Sequence, residues 1–295
     1  MFECLQDLDP SSLSLDCALW RLDALRVIAA LVAGFLLGVA GCITQWVFRN
    51  PLAEPYVLGV TGGASLAGAL ALLSLWPLWA VNLASIAGAL SLLALVLWVA
   101  RRLDAMQTLL WGVMLSTLCG AAVTALMVLS PEAQFRGLVF WLIGDLSGVT
   151  QPLDLVFPLG AVVLLLVFLI FFSKSLAQLQ LGDALAQSVG VAIARTRWLA
   201  CAAAGVAVAS AFGLAGGVGF VGLIAPLLAQ RLCAALNAPQ AAVPISAGLL
   251  GATLVLAADT VAQVLFAPQI LPVGAVLGVI GAASLMILIV RARHV

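Results

Sequence analysis

Uninterrupted apolar blocks of about 20 residues recur along this chain, and no other feature limits its possible folds so strongly. A helix of that length crosses a hydrocarbon core of about 30 Å at a rise of about 1.5 Å per residue. Nine blocks are legible, near residues 26–47, 57–75, 79–100, 106–129, 153–173, 198–215, 219–236, 242–262 and 272–290. Backbone polar groups in lipid must be satisfied within their own segment, so such blocks predict helices. Charge supports the reading: 8% of the residues are charged and 65% are hydrophobic, whereas a soluble domain devotes about a quarter to charge. The predicted fold class is an all-α integral membrane protein, a polytopic bundle of about nine transmembrane helices.

Prolines and charged clusters separate the blocks: Pro51 with Pro55, Pro77, Arg101 with Arg102, Pro131, Pro152, Lys174 to Arg197, Pro239 with Pro244, and Pro268 with Pro272. Nothing between them is long enough for a second folded unit, so residues 1–295 form one transmembrane domain. With nine spans, Arg49, Arg101, Arg102, Lys174, Arg195, Arg197, Arg231, Arg291 and Arg293 fall on one side. Arg21, Arg26 and Arg136 fall on the other. Positively charged loops stay in the cytoplasm, which places the C-terminus inside and the acidic tail of residues 1–25 in the periplasm. That tail carries Glu3, Asp7, Asp9 and Asp16 ahead of the first basic residue and has no apolar h-region, so it is not a signal peptide. The cysteines are scattered without a CxxC pair. Cys4 and Cys17 would pair only if the tail faces an oxidising compartment.

Several chemistries are missing. Lys174 is the only lysine, and its setting, FFSKS, has no preceding glycines, so there is no phosphate-binding Walker A loop. His294 is the only histidine and stands next to the C-terminus, which removes histidine-based metal sites and Ser-His-Asp catalysis from a single chain. No cofactor site and no basic run for nucleic acid is visible. Asp259, in LAADTVAQ, is the one clear intramembrane carboxylate; it is either a pathway residue or a group paired with a nearby backbone or hydroxyl. Gly34, Gly38 and Gly41 share one helix face, as do Gly213, Gly216 and Gly217, which suits close helix packing. The chain has a membrane path and no engine of its own, so it reads as a permease driven by a separate partner.

Four ordered blocks carry a family resemblance. GCITQ at 41–45 with RNPLAEPYVLGVTGGASLAG at 49–68 supplies Gln45, Asn50, Pro51, Pro55 and Gly59. FRGLVFWLIGDLSGVT spans 135–150, and AGGVGFVGLIAPLLAQRL at 215–232 supplies Gly219, Phe220, Gly222 and Pro226. LPVGAVLGVIGAASLMILIV at 271–290 supplies Pro272 and Gly274, and Asp259 lies between the last two blocks. The chain resembles the membrane permease subunits of ATP-binding-cassette importers for iron–siderophore, haem and cobalamin, the FecCD-like type II class. The likeness runs from about Trp20 to the C-terminus. Members of that family carry one N-terminal helix more than the nine read from hydropathy, so the first is expected to be absent here.

The resemblance implies a homodimer with the translocation path at its two-fold axis, two cytoplasmic ATPase subunits, a periplasmic substrate-binding protein, and the bacterial inner membrane as its location. It also implies that LGDALAQSVGVAIARTRW at 181–198 couples the permease to the ATPase, through Gly182, Asp183, Ser188, Gly190, Arg195 and Arg197. Relatives present arginines to the binding protein; the aligned positions here are Asp23 and Gln263, with Arg21 and Arg136 as substitutes. Leu227 follows Pro226 where the family usually has histidine. Pro51 and Pro55 are expected only to stop helices and shape a turn, with Arg49 at the lipid headgroups. The alternative reading is an ion-coupled secondary transporter, which would need inverted repeats and midplane ion ligands; a third is a membrane scaffold. Uptake driven by an ion gradient alone would favour the carrier.

Overall fold

A computed structural model describes residues 15–100, 105–265 and 271–292. Nine long helices run through it: α1 (Leu15–Phe48), α2 (Val60–Leu73), α3 (Leu78–Ala100), α4 (Ala105–Leu129), α6 (Val156–Gln180), α8 (Ile193–Ala215), α9 (Val221–Ala235), α10 (Val243–Val264) and α11 (Val273–Ala292). Two short helices, α5 (Glu132–Ile143) and α7 (Asp183–Ser188), lie between them. The described residues contain helices and turns and no strand.

Three boundaries differ from the sequence reading by more than a turn, one of them the start of α8, at Ile193 rather than near 198. α1 begins at Leu15 rather than near 26, so part of the expected tail is helical. Trp20 remains exposed on that extension, and continuous burial sets in only after Val27 and Ile28, which are also exposed. α6 runs to Gln180, two turns past the expected end at 173, because no glycine or proline intervenes before Gly182. Cys4, Arg101, Arg102, Pro268, Arg293 and His294 lie outside the described residues.

Burial separates the centre from the rim. α1 is buried along 78% of its most apolar window and α8 along 72%, against 17% for α4 and 28% for α6. α1 packs on α6, α8, α9 and α10, and α8 joins this group to the sheaf of α2, α3 and α4. Small residues set the central distances. A Cβ on Gly34 would collide with the backbone of Gly251, one on Gly38 with the carbonyl of Ala247, and one on Gly41 with Gly222. The first two draw α1 against α10 and the third draws it against α9, the packing that closely spaced small residues permit.

On the outward faces, hydroxyls bond to their own helix. Thr117 donates to the Val113 carbonyl (2.9 Å), Thr124 to Gly120 (2.9 Å) and Ser91 to Ala87 (2.7 Å). Such back-bonding satisfies a polar side chain where no water is at hand.

Candidate functional site

α2 and α9, at 14 and 15 residues, are shorter than a full crossing of about 20. Each is completed by irregular chain. α2 follows a 3-10 turn, Pro55–Leu58, and Gly59 at φ +78°. α9 follows a break at residues 216–220, bounded by Gly216 at φ +70° and Phe220 at φ +66°. The break lies inside the bundle. Gly222, just beyond it, packs on Gly41, and α1 continues from there to Phe48, about 10 Å further along its axis. Non-helical backbone at such depth persists only where protein or a water-lined cavity satisfies it.

Protein satisfies it here. The Phe220 N–H donates to Oε1 of Glu54 (3.0 Å), and the Tyr56 hydroxyl donates to the Val218 carbonyl (2.6 Å). Gln45, buried in α1, donates to the carbonyls of Gly222 (3.5 Å) and Leu223 (3.2 Å) and accepts from Gln230 (3.5 Å). Pro226, within α9, lies beyond these contacts and is buried. The Pro55 ring fills the space beside Gly222, where a Cβ would stand 2.7 Å from it. Pro55 therefore packs the break as well as ending the turn, and the purely topological role expected for it is too narrow. Asn50 knits the turn through its Oδ1, which accepts from Leu52 N (2.9 Å), and Pro51 stands between them. On the far side of the break, a Cβ on Gly274 would meet the carbonyls of Ile143 and Gly217, and the Gly274 N–H donates to Gly144 (3.3 Å). Pro272, two residues earlier, starts α11 beside this contact.

The polar stretch 181–198 folds as a knob. Gly182 (φ +108°) turns the chain into α7, and Gly190 (φ +86°) turns it out again toward α8. Ser188 donates to the Leu185 carbonyl (2.8 Å), and Arg195 is exposed. Asp183 holds α7 to the bundle: Arg197 donates to it at 2.8 Å and Arg49 approaches it at 3.5 Å. Arg49 thus has a protein partner, not only the headgroup region assigned to it from sequence.

Asp259 is buried and paired with neither backbone nor hydroxyl. Arg26, also buried, donates Nε to Oδ2 (2.9 Å) and Nη2 to Oδ1 (2.8 Å). Gln263 donates to the same carboxylate (2.7 Å). One expectation changes: Arg26 is an interior ion-pair partner rather than a loop cation, while Gln263, half-buried, bonds to Asp259 through its amide N–H. Arg21, Asp23 and Arg136 remain exposed, with Arg136 lying 5.6 Å from the centre of the Phe140 ring. A cleft of about 420 Å³ opens where α2 turns into α3 beside α5, lined by Leu73, Leu78, Gln134, Trp141, Asp145 and Ser147.

Sequence reasoning missed Glu54, Tyr56 and the Arg26–Asp259 pair. The signals were present: Glu54 sits between two prolines in a chain with twelve acids, and Tyr56 is the only tyrosine. Among the described residues, no three His, Cys, Asp or Glu side chains converge as a metal site would require.

The backbone superposes on a solved inward-facing metal-chelate type ABC transporter with a TM-score of 0.82 and 31% identity, over 90% of this chain and 85% of that one. A solved structure of PsaBC from Streptococcus pneumoniae shares the fold at TM-score 0.63 and 16% identity, over 89% and 88% of the two chains. Fold and site together define a multi-pass membrane permease of the ABC importer class. The chain belongs to the FecCD transport family, whose model matches residues 1–291. It is 34% identical over 279 residues to the vitamin B12 import system permease protein BtuC of Escherichia coli O9:H4, covering 93% of this chain and 84% of that protein. The Vibrio cholerae BtuC is 36% identical over 277 residues, covering 92% and 82%. The Fe(3+) dicitrate transport system permease protein FecD of Escherichia coli K12 is 35% identical over 273 residues, covering 91% and 83%.

Proposed function

We propose that this chain imports a bulky iron chelate, haem or corrinoid across the bacterial inner membrane as one half of a homodimer. The relatives named for vitamin B12 and Fe(3+) dicitrate import support that ligand class. Two cytoplasmic ATPase subunits power the dimer, and a periplasmic binding protein delivers the ligand. The observation that carries the reading is α7, a six-residue helix between two positive-φ glycines, pinned by Asp183 to Arg197 and Arg49. A short knob held by ion pairs is what a moving partner subunit can push without melting it. Gly182, Asp183, Ser188, Gly190, Arg195 and Arg197 form this coupling element, and the C-terminus lies on its side of the membrane. Arg21, Asp23 and Arg136 are the exposed charges available to the binding protein.

The test is reconstitution. The chain, purified with a co-expressed ATPase, is placed in proteoliposomes and supplied with the binding protein and radiolabelled ferric chelate, haem or cobalamin. Uptake that requires ATP and the binding protein is the expected result. Uptake driven by an ion gradient without the ATPase would establish the secondary-carrier reading instead.

A further inference from the structure

The break at 216–220 is non-helical backbone in the bundle interior with few bonds of its own. Within the break itself, Gly216 bonds back to Phe212 (2.7 Å) and Val218 to Gly216 (3.1 Å). Its two side-chain ties, from Glu54 to the Phe220 N–H and from Tyr56 to the Val218 carbonyl, leave a single turn of the chain. Oε1 of Glu54 accepts this N–H whether the carboxyl is protonated or not, so the tie is geometric.

That turn is stiff. Prolines at 51 and 55 fix two of its φ angles. Asn50 closes it through its side chain to Leu52 N and through its carbonyl to Ala53 N (3.0 Å). At its start, Arg49 reaches Asp183 at the head of α7. One short segment, residues 49–56, therefore touches α7 at one end and the break before α9 at the other. The Arg49 and Glu54 side chains make the two contacts, and only the short backbone stretch 50–53 lies between them.

We infer that Glu54 is a positioning residue that holds the α8–α9 break in register with the 49–56 turn, so that displacement of α7 reaches α9 through Arg49 and this turn. The inference rests on α7 being the ATPase contact. The turn moves as a strut because its own hydrogen bonds are local, whereas the break yields because glycines at 216, 217 and 219 leave its dihedrals soft.

The experiment uses the full complex of permease, ATPase and binding protein in nanodiscs and proteoliposomes, and reads ligand transported per ATP hydrolysed. Glu54→Leu, which keeps bulk and loses the acceptor, is expected to lower that ratio by about tenfold, the scale of leaving the buried Phe220 N–H without its partner. Glu54→Gln retains an acceptor oxygen and is expected to stay within about threefold of wild type. Spin labels read the motion directly. A label at Gln187 on α7 still shifts with nucleotide in Glu54→Leu, while one at Leu236, just past α9, no longer does. An unchanged ratio, or a Leu236 label that still follows nucleotide, overturns the inference. Should Glu54→Leu fail to assemble, Arg49→Leu cuts the exposed end of the strut, and an unchanged ratio there overturns it equally. A wild-type complex that shows no ATP-dependent uptake overturns the importer reading itself. A wild type that couples beside a Glu54→Leu that couples equally removes only the role of Glu54.

Discussion

Arg26 and Asp259 stand 233 residues apart in the chain and meet inside the bundle through three hydrogen bonds. Two desolvated charges are costly alone, and breaking such a pair by removing one partner costs about 3–5 kcal/mol. Asp259→Ala is therefore expected to lower the melting temperature in detergent sharply. The double replacement Arg26→Met with Asp259→Leu removes both charges and recovers most of the loss, which thermal unfolding of the three variants measures.

At the scale of elements, α7 is the most exposed test of the coupling scheme. A Cβ at Gly190 would meet nothing within 4 Å, so space is available, and only the φ of +86° resists substitution. Gly190→Val should therefore distort the turn locally, at roughly 1–3 kcal/mol, without disturbing the bundle. The expected result is an unchanged melting temperature with lost transport-linked stimulation of the ATPase. Gly190→Asn, which tolerates the left-handed conformation, should keep that stimulation. Loss of stimulation in both variants would mean that the turn acts through contact rather than through shape. The α1–α10 crossing works the opposite way: there the backbones are too close for any Cβ at Gly34 or Gly38, so packing and not φ imposes glycine.

At the scale of the whole molecule, orientation is set by cations. Moving Arg26 from the periplasmic set to the interior leaves Arg21 and Arg136 on that side and strengthens the positive-inside bias. Single cysteines at positions 145 and 195, in a cysteine-free background, are expected to react with an impermeant thiol reagent from the periplasm and the cytoplasm respectively. Labelling of position 145 only from inside would invert the map.

Helix number, helix order and approximate span were legible in the sequence, because each span must bury its own backbone bonds and therefore announces itself by local apolar length. The stretches that carry α5 and α7, 135–150 and 181–198, stood out through the family resemblance rather than through hydropathy. Family membership was legible in RNPLAEP, GGVGF and the final LPVG. What local pattern left open is every choice made by approach between distant segments. Asp259 chose Arg26 over a neighbouring hydroxyl because the tight α1–α10 crossing brings the two together. The same carboxylate also draws the Gln263 amide. The break before α9 is packed and tied by Glu54, Tyr56 and Pro55 from a distant turn. An apolar block in water-free surroundings has one way to satisfy its backbone, so sequence alone determines that it is a helix. A buried charge or an unwound carbonyl has as many possible partners as the fold can bring near it, so only the tertiary structure decides.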